Sequence, residues 1–191
     1  MTIINPSVPG ALSLQMRLFD ANARFVTGGQ FSATITADAT GPESLILREP
    51  VMGTFDDLGR LVSMNGGAID LVASDLLTPT TTAYQFVIDE PGVGRVGFIA
   101  PIKSGQSASD ANVTVAADLV TVTLNNFVPS AAMIGATVTG TNVQAGTTIT
   151  AINNIANTVT LSKAATAAGT MLQLTIGNTV DFRTLALGYL P

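Results

Sequence analysis

Residues 104 to 178 carry three formal charges, Asp110, Asp118 and Lys163, yet hold fourteen threonines. That combination narrows what the segment can fold into more than any other feature of the chain. The branched Cβ of threonine favours extended backbone, while its hydroxyl keeps an outward face hydrated without an ion. "NVTVAADLVTVTLNNF", "ATVTGTNV", "TTITAINNIANTVTLS" and "TMLQLTIG" read as strands separated by Asn or Gly, with a strand, turn and strand across Asn153-Asn154. A small antiparallel sandwich or barrel is the expectation. Such a surface responds weakly to salt, because there is little charge to screen.

The flanking sequence has a different texture. Residues 1 to 103 hold ten acids and six bases, and residues 179 to 191 add Asp181 and Arg183. Alternation in "FSATITA" (Phe31, Ala33, Ile35, Ala37) and "YQFVI" (Tyr84, Phe86, Ile88) predicts strands. "FDANARF" predicts a hairpin turn at Asn22, a residue type that tolerates left-handed geometry. Gly28-Gly29, Gly41-Pro42, Gly66-Gly67 and Pro91-Gly92 predict further turns. "AIDLVASDLL" (Ala68 to Leu77) is the best helix candidate, and "SGQSASDAN" (Ser104 to Asn112) has the small polar composition of a linker. The fold class expected is all-β, with two small antiparallel sandwich or barrel domains. Residues 1–103 plus 179–191 form a β-rich anchoring domain, and 104–178 form a Thr-rich module inserted near its C-terminus. The tail "NTVDFRTLALGYLP" then supplies the last strand of the anchoring domain.

The chemical inventory is short, since Cys, His and Trp are all absent. Thiol nucleophiles and Ser-His triads are excluded, and zinc, haem and most transition-metal sites lose their usual ligands. A net charge of −5, from 13 acids against 8 bases, argues against nucleic acid, which requires a basic face. Hydrophobic residues make up 47%, but no apolar run approaches the roughly eighteen residues of a membrane span, so no membrane insertion is expected. "MTIINPSVPGALSLQMRLFD" lacks the basic start and apolar stretch of a secretory signal, which leaves synthesis in a cytoplasm as the expectation.

Individual motifs point the same way. "GVGRVG" at residues 92 to 97 matches G-x-G-x-x-G after a strand candidate, but a dinucleotide site requires a helix next, and "FIAPI" follows instead. A glycine-rich hairpin turn is the better reading. Asp56-Asp57 with Asp70 and Asp75 could suggest a carboxylate pair or calcium ligands, but "DDLGR" lacks the D-x-D-x-D-G spacing. These acids are expected to be solvated turn residues. "NVT" at Asn112 to Thr114 fits a glycosylation sequon that means little without secretion. Tyr84 and Tyr189 could line a sugar groove, but with 5% aromatics a core role is the expectation. No catalytic, cofactor-binding or metal-binding residue is assigned, no cofactor is expected, and an enzyme is the least favoured class.

Two stretches carry resemblances. "RLFDANARFVTGGQFSATIT", "LREPVMGTFDDLGRL", "LVASDLLTPTTTAYQFVIDEPG" and "TVDFRTL" resemble, in that order, the small β-rich N-terminal domain of minor tail and host-attachment proteins of phages that infect actinobacteria. "IGATVTGTNVQAGTTITAINNIANTVTLSKAATAAGTMLQLTIG" resembles a module that recurs in phage virion proteins, with its Gly-x-x-Val-x-Gly opening and Val-Thr-Leu-Ser-x-Ala-Ala-Thr-Ala-x-Gly ending. Proteins of this type usually continue into shafts or receptor-binding modules, whereas this chain stops at Pro191, which favours a compact adaptor or decoration protein. The resemblances imply a non-enzymatic virion structural protein, tail-associated and assembling with other phage structural proteins as a homo-oligomer, a trimer among the candidates. Alternatives are a capsid decoration protein and a carbohydrate-binding module making weak multivalent contact with host glycan through Tyr84, Tyr189 or the hydroxyl-rich face of residues 137 to 161.

Overall fold

The computed structural model describes residues 8–18, 24–42, 45–90 and 94–189; the turns expected at Asn22 and Pro91-Gly92 lie outside the described residues. Before the threonine-rich segment the strands are β1 (Ala11–Gln15), β2 (Gln30–Ile35), β3 (Ala39–Thr40), β4 (Leu45–Ile46), β5 (Val51–Phe55), β6 (Leu61–Ser63), β7 (Ile69–Val72), β8 (Tyr84–Glu90) and β9 (Gly94–Ala100). Within it come β10 (Ser107–Val115), β11 (Thr121–Leu124), β12 (Thr137–Gly140), β13 (Thr147–Asn153), β14 (Thr158–Leu161) and β15 (Gly169–Gly177). After it follow β16 (Thr179–Asp181) and the short helix α1 (Phe182–Leu187). The chain is all-β, as its composition implied.

Two hydrophobic cores organise these strands. The first lies between an antiparallel sheet of order β6-β5-β2-β8-β9 and a three-stranded sheet of order β16-β1-β7, in a sandwich-like arrangement. Period-two alternation turns Phe31, Ala33 and Ile35 of β2 inward, into one core with Phe86 of the adjacent β8 and Phe98 of β9 beyond it. Phe182 at the start of α1 completes this aromatic cluster. Its ring centroid lies 5.0 Å from that of Phe86, 5.4 Å from Phe98 and 5.5 Å from Phe31. At Gly53 of β5 an added Cβ would stand 2.5 Å from Ile69 Cδ1 of the facing sheet and 2.7 Å from Val62 O of β6. Only glycine fits there.

The second core fills a closed antiparallel barrel of order β10-β11-β14-β13-β12-β15, with β15 returning to β10. Inward positions are aliphatic, among them Val113, Val122, Leu124, Val138, Ile149, Leu174 and Ile176. Outward positions are threonines paired across strands, including Thr114 with Thr123, Thr123 with Thr158, Thr121 with Thr160 and Thr139 with Thr175. Cross-strand threonines stabilise a sheet while leaving its face neutral. Gly140 shows why the segment's glycine pattern matters: its φ is +143°, and an added Cβ would lie 2.3 Å from Gln173 O. Lys163 donates from Nζ to Ala145 O at 2.6 Å, so this charge anchors a turn.

The strand expected from the tail exists. β16 pairs in parallel with β1, placing Leu14 opposite Val180, while β1 pairs antiparallel with β7 on its other side. The chain enters and leaves the barrel side by side, with Thr179 N donating to Gln106 O at 3.4 Å.

Two local expectations are corrected, and the strand, turn and strand expected across Asn153-Asn154 is present. Residues 68 to 77 are not a helix: Ile69 to Val72 form β7, with Ile69 and Leu71 inward at strand spacing, and only Ser74 to Leu76 make a 3-10 turn. Most of the supposed linker is strand, because Ser107 to Asn112 begin β10, where Ser107 to Asp110 pair residue by residue with β15. The hairpin turn spans Asn154 to Asn157, and Asn157 takes the left-handed φ of +54°.

Candidate interaction surface

The two cores meet along β1. Leu12 and Leu14 enter the aromatic core, so the intervening Ser13 and Gln15 face the opposite way, toward residues 126 to 132 of the barrel segment. The Gln15 amide behaves like a neighbouring strand. Its Nε2 donates to Val128 O at 2.9 Å, and its Oε1 accepts from Val128 N at 2.9 Å. Beside it, Ser130 Oγ donates to the Asp70 carboxylate and accepts from Ala132 N, which caps the 3-10 turn Ala131–Met133. Arg17 donates to Leu58 O and to Asn126 Oδ1, and its guanidinium stands 4.3 Å from the Phe25 ring centroid. Asn126 passes the contact on through Nδ2 to Asp110 at 2.8 Å. Among the described residues, no buried side-chain nitrogen or oxygen lacks a hydrogen-bond partner.

Burial and donors set the acids apart. Asp110 is fully buried at 0% exposure, aimed inward where the β10 register shifts, and accepts from Asn112 N, Asn126 N, Asn126 Nδ2 and Phe127 N. Desolvation pushes its carboxyl above the usual range, and those donors partly offset the rise. Asp70 is also pushed up by desolvation against the pull of Ser130 and Ser13. One side of that residue stays open to solvent, which weakens the effect. Asp75 and Asp118 are exposed and held below the usual range, by the Ser104 and Thr121 hydroxyls respectively. Arg17 is lowered from its ordinary value by desolvation and then by Arg60.

The acids singled out in the sequence do not converge. Asp56 accepts from Leu58 N and Arg60 N and pairs with the Arg60 guanidinium at 2.8 Å, while Asp57 is an exposed turn residue. Asp75 accepts from Ser104 N and Ser104 Oγ, and thereby ties down the approach to the barrel. Asp70 departs from the expectation of a solvated turn, because it sits in β7 and bonds across the seam. Residues 92 and 93 of the glycine motif lie outside the described residues; Gly94 to Gly97 belong to β9, and no helix follows. Asn112 lies in β10. Among the described residues, no group of three or more acids is placed to hold a metal ion, and no helix is long and apolar enough to cross a membrane.

The tyrosines part company. Tyr84 is buried, donates to Val72 O at 2.8 Å, and has its pKa pushed up to about 12 by desolvation. Tyr189 is 47% exposed and lines a groove of about 380 Å³ with Lys103, Gln106, Ser107 and Thr184.

Several apolar side chains stay open to solvent. On the outer face of the five-stranded sheet, Met52, Ser32, Val87 and Gly97 form one cross-strand row, next to Ile99, and a hollow of about 240 Å³ lies over Met52 and Val87 beside Asp89 and Arg95. Buried polar groups are tied up internally, while apolar side chains such as Met52, Val96 and Ile99 remain exposed. Sequence reasoning missed Gln15, Asp110 and Asn126, whose partners lie up to 113 residues away. The alternation of Ser13 and Gln15 with Leu12 and Leu14 was the only available signal of a polar face on β1. No family model, curated protein or solved structure matches the chain.

Proposed function

We propose that this chain is a non-enzymatic structural protein of a phage particle, tail-associated and present in several copies, where it joins or covers other structural proteins. The observation that carries this reading is the division of labour among side chains. Asp56, Asp75, Asp110 and Asp118 are committed to internal hydrogen bonds, whereas Met52, Val96, Ile99 and Ile155 face solvent. A body of this kind is suited to being held by neighbours, because exposed apolar groups gain by burial. The barrel's neutral threonine face meets a copy or a neighbour without charge repulsion. The two sequence resemblances support the phage setting.

Antibody against residues 104 to 178 should place gold on intact particles, at the tail or its tip. Gold over the head would replace this reading with capsid decoration, and absence of the chain from blots of disrupted particles would refute a virion role. A glycan-adhesion role is favoured by one observation, the exposed Tyr189 beside Gln106, Ser107 and Thr184. Its test is glycan-array signal that Tyr189→Ala abolishes.

A further inference from the structure

The five-stranded sheet has two edges, and they differ. The β6 edge is covered within the chain: Leu61 N donates to Met16 O at 2.9 Å, Leu18 N donates to Gly59 O at 2.8 Å, and Arg17 bridges Arg60. The β9 edge pairs with β8 and has no second neighbouring strand among the described residues. Edge strands with free backbone groups are templates for another strand. With one edge covered, a head-to-tail ring joining β9 of one copy to β6 of the next is blocked. Pairing between copies through this sheet is then β9 to β9, about a two-fold axis.

We propose that two copies of this chain join by antiparallel pairing of β9 with β9, centred on Gly97, into one continuous sheet. The side chains suit this register on both faces. Antiparallel partners must share a face, so pairing at Gly97 sets Val96 opposite Phe98 of the second copy and Arg95 opposite Ile99 of the second copy. Val96 and Ile99 are 42% and 56% exposed, and this register covers both, Ile99 under the aliphatic stem of Arg95. The two Arg95 side chains stand four positions apart along the strands, about 13 Å, beyond the physiological Debye length of about 8 Å. Each Arg95 also keeps Asp89 of its own chain directly across β8. Shifting the centre to residue 95 would instead set the two arginines face to face.

This deepens the multi-copy reading, and its test separates the two. The full chain contains no cysteine, so Gly97→Cys introduces one thiol per chain; its Cβ would lie 3.4 Å from Phe86 O, an ordinary contact. Sedimentation equilibrium of the wild type should give twice the 19.5 kDa chain mass. Mild oxidation of Gly97→Cys should give a disulfide-linked dimer, and Val51→Cys should not. Ile99→Lys, with an unchanged circular dichroism spectrum, should lower the association constant roughly tenfold or more. Should Ile99→Lys misfold, the cross-link comparison decides alone. A monomer, a trimer, or a dimer that Gly97→Cys does not cross-link would overturn β9 pairing, whatever the particle blots show. A cross-linked dimer missing from particles would leave β9 pairing standing and refute the virion reading.

Discussion

The aromatic core and the barrel core solve the same problem by different means. The sandwich-like region has open sheets, so it depends on large side chains, with the rings of Phe86 and Phe182 each in contact with those of Phe31 and Phe98, and it draws elements from both sides of the barrel segment. The barrel is closed by hydrogen bonds around its whole circumference, uses contiguous sequence, and is filled mainly by Val, Leu and Ile. Closure removes sheet edges, so a neutral threonine surface suffices outside. The open region retains an edge and compensates with charged turns. The difference shows how one chain can contain a segment with almost no ions beside one that is ordinary in its charges.

That contrast breaks most visibly at the residue each core cannot replace. Phe182→Ala should cost about 3–5 kcal/mol through loss of buried aromatic area and the cavity left behind. Both tyrosines lie outside the barrel, so tyrosine fluorescence should report a lowered urea midpoint while barrel amide resonances keep their shifts. Gly140→Ala should do the converse. Its positive φ and the Gln173 carbonyl force barrel strain, which shifts barrel resonances and leaves the tyrosine signal in place. Equal disturbance of both regions by either variant would mean that the cores are one unit.

The seam comes next in size. Gln15→Ala leaves Val128 N and O without their side-chain partner, at about 1–3 kcal/mol per unsatisfied buried group. Loss of this contact should separate the unfolding transitions of the two cores, seen as non-coincident curves from tyrosine fluorescence and barrel amides.

Acid sharpens the comparison further. Burial places the folded pKa of Asp110 above its unfolded value near 3.9, so the penalty is absent below about pH 4 and complete above the folded pKa. Stability from this group therefore falls as pH rises through that window. Asp110→Asn loses an acceptor of backbone N–H groups but does not titrate. Its destabilisation, read from urea midpoints, should be largest near pH 4 and should shrink toward pH 7. A cost that grows with pH would mean that the N–H donors outweigh desolvation.

The smallest effect is ionic. Both ion pairs seen among the described residues, Arg60 with Asp56 and Arg183 with Asp181, belong to the sandwich-like region and are worth about 0–1 kcal/mol each. Raising salt from low to about 1 M should move the tyrosine-reported midpoint more than the barrel's, where there is little to screen.

Much of the fold was legible because it rests on period-two alternation. Phe31, Ala33 and Ile35, or Tyr84 and Phe86, announce strand faces directly, and the threonine rows announce an antiparallel sandwich or barrel without choosing between them. Ser107 to Asn112 concealed a strand, because Ser, Ala and Asp are the residues of linkers as well as of tightly packed β10. Ile69 to Leu76 concealed another, since the i, i+3, i+7 spacing of Ile69, Val72 and Leu76 is met equally by a strand followed by a 3-10 turn. The seam was illegible for a different reason. Nothing local to Gln15 specifies Val128, and the burial of Asp110 depends on a bulge that sequence alone does not reveal. Pairing of β9 between copies likewise depends on which edge the rest of the chain covers.

The most direct test of the two-core account is the amide spectrum of residues 104 to 178 expressed alone. A dispersed spectrum that overlays the barrel resonances of the whole chain, apart from seam residues 126 to 132, is the predicted result. A collapsed spectrum with unprotected amides would contradict it, and would show that the barrel forms only on the support of β1.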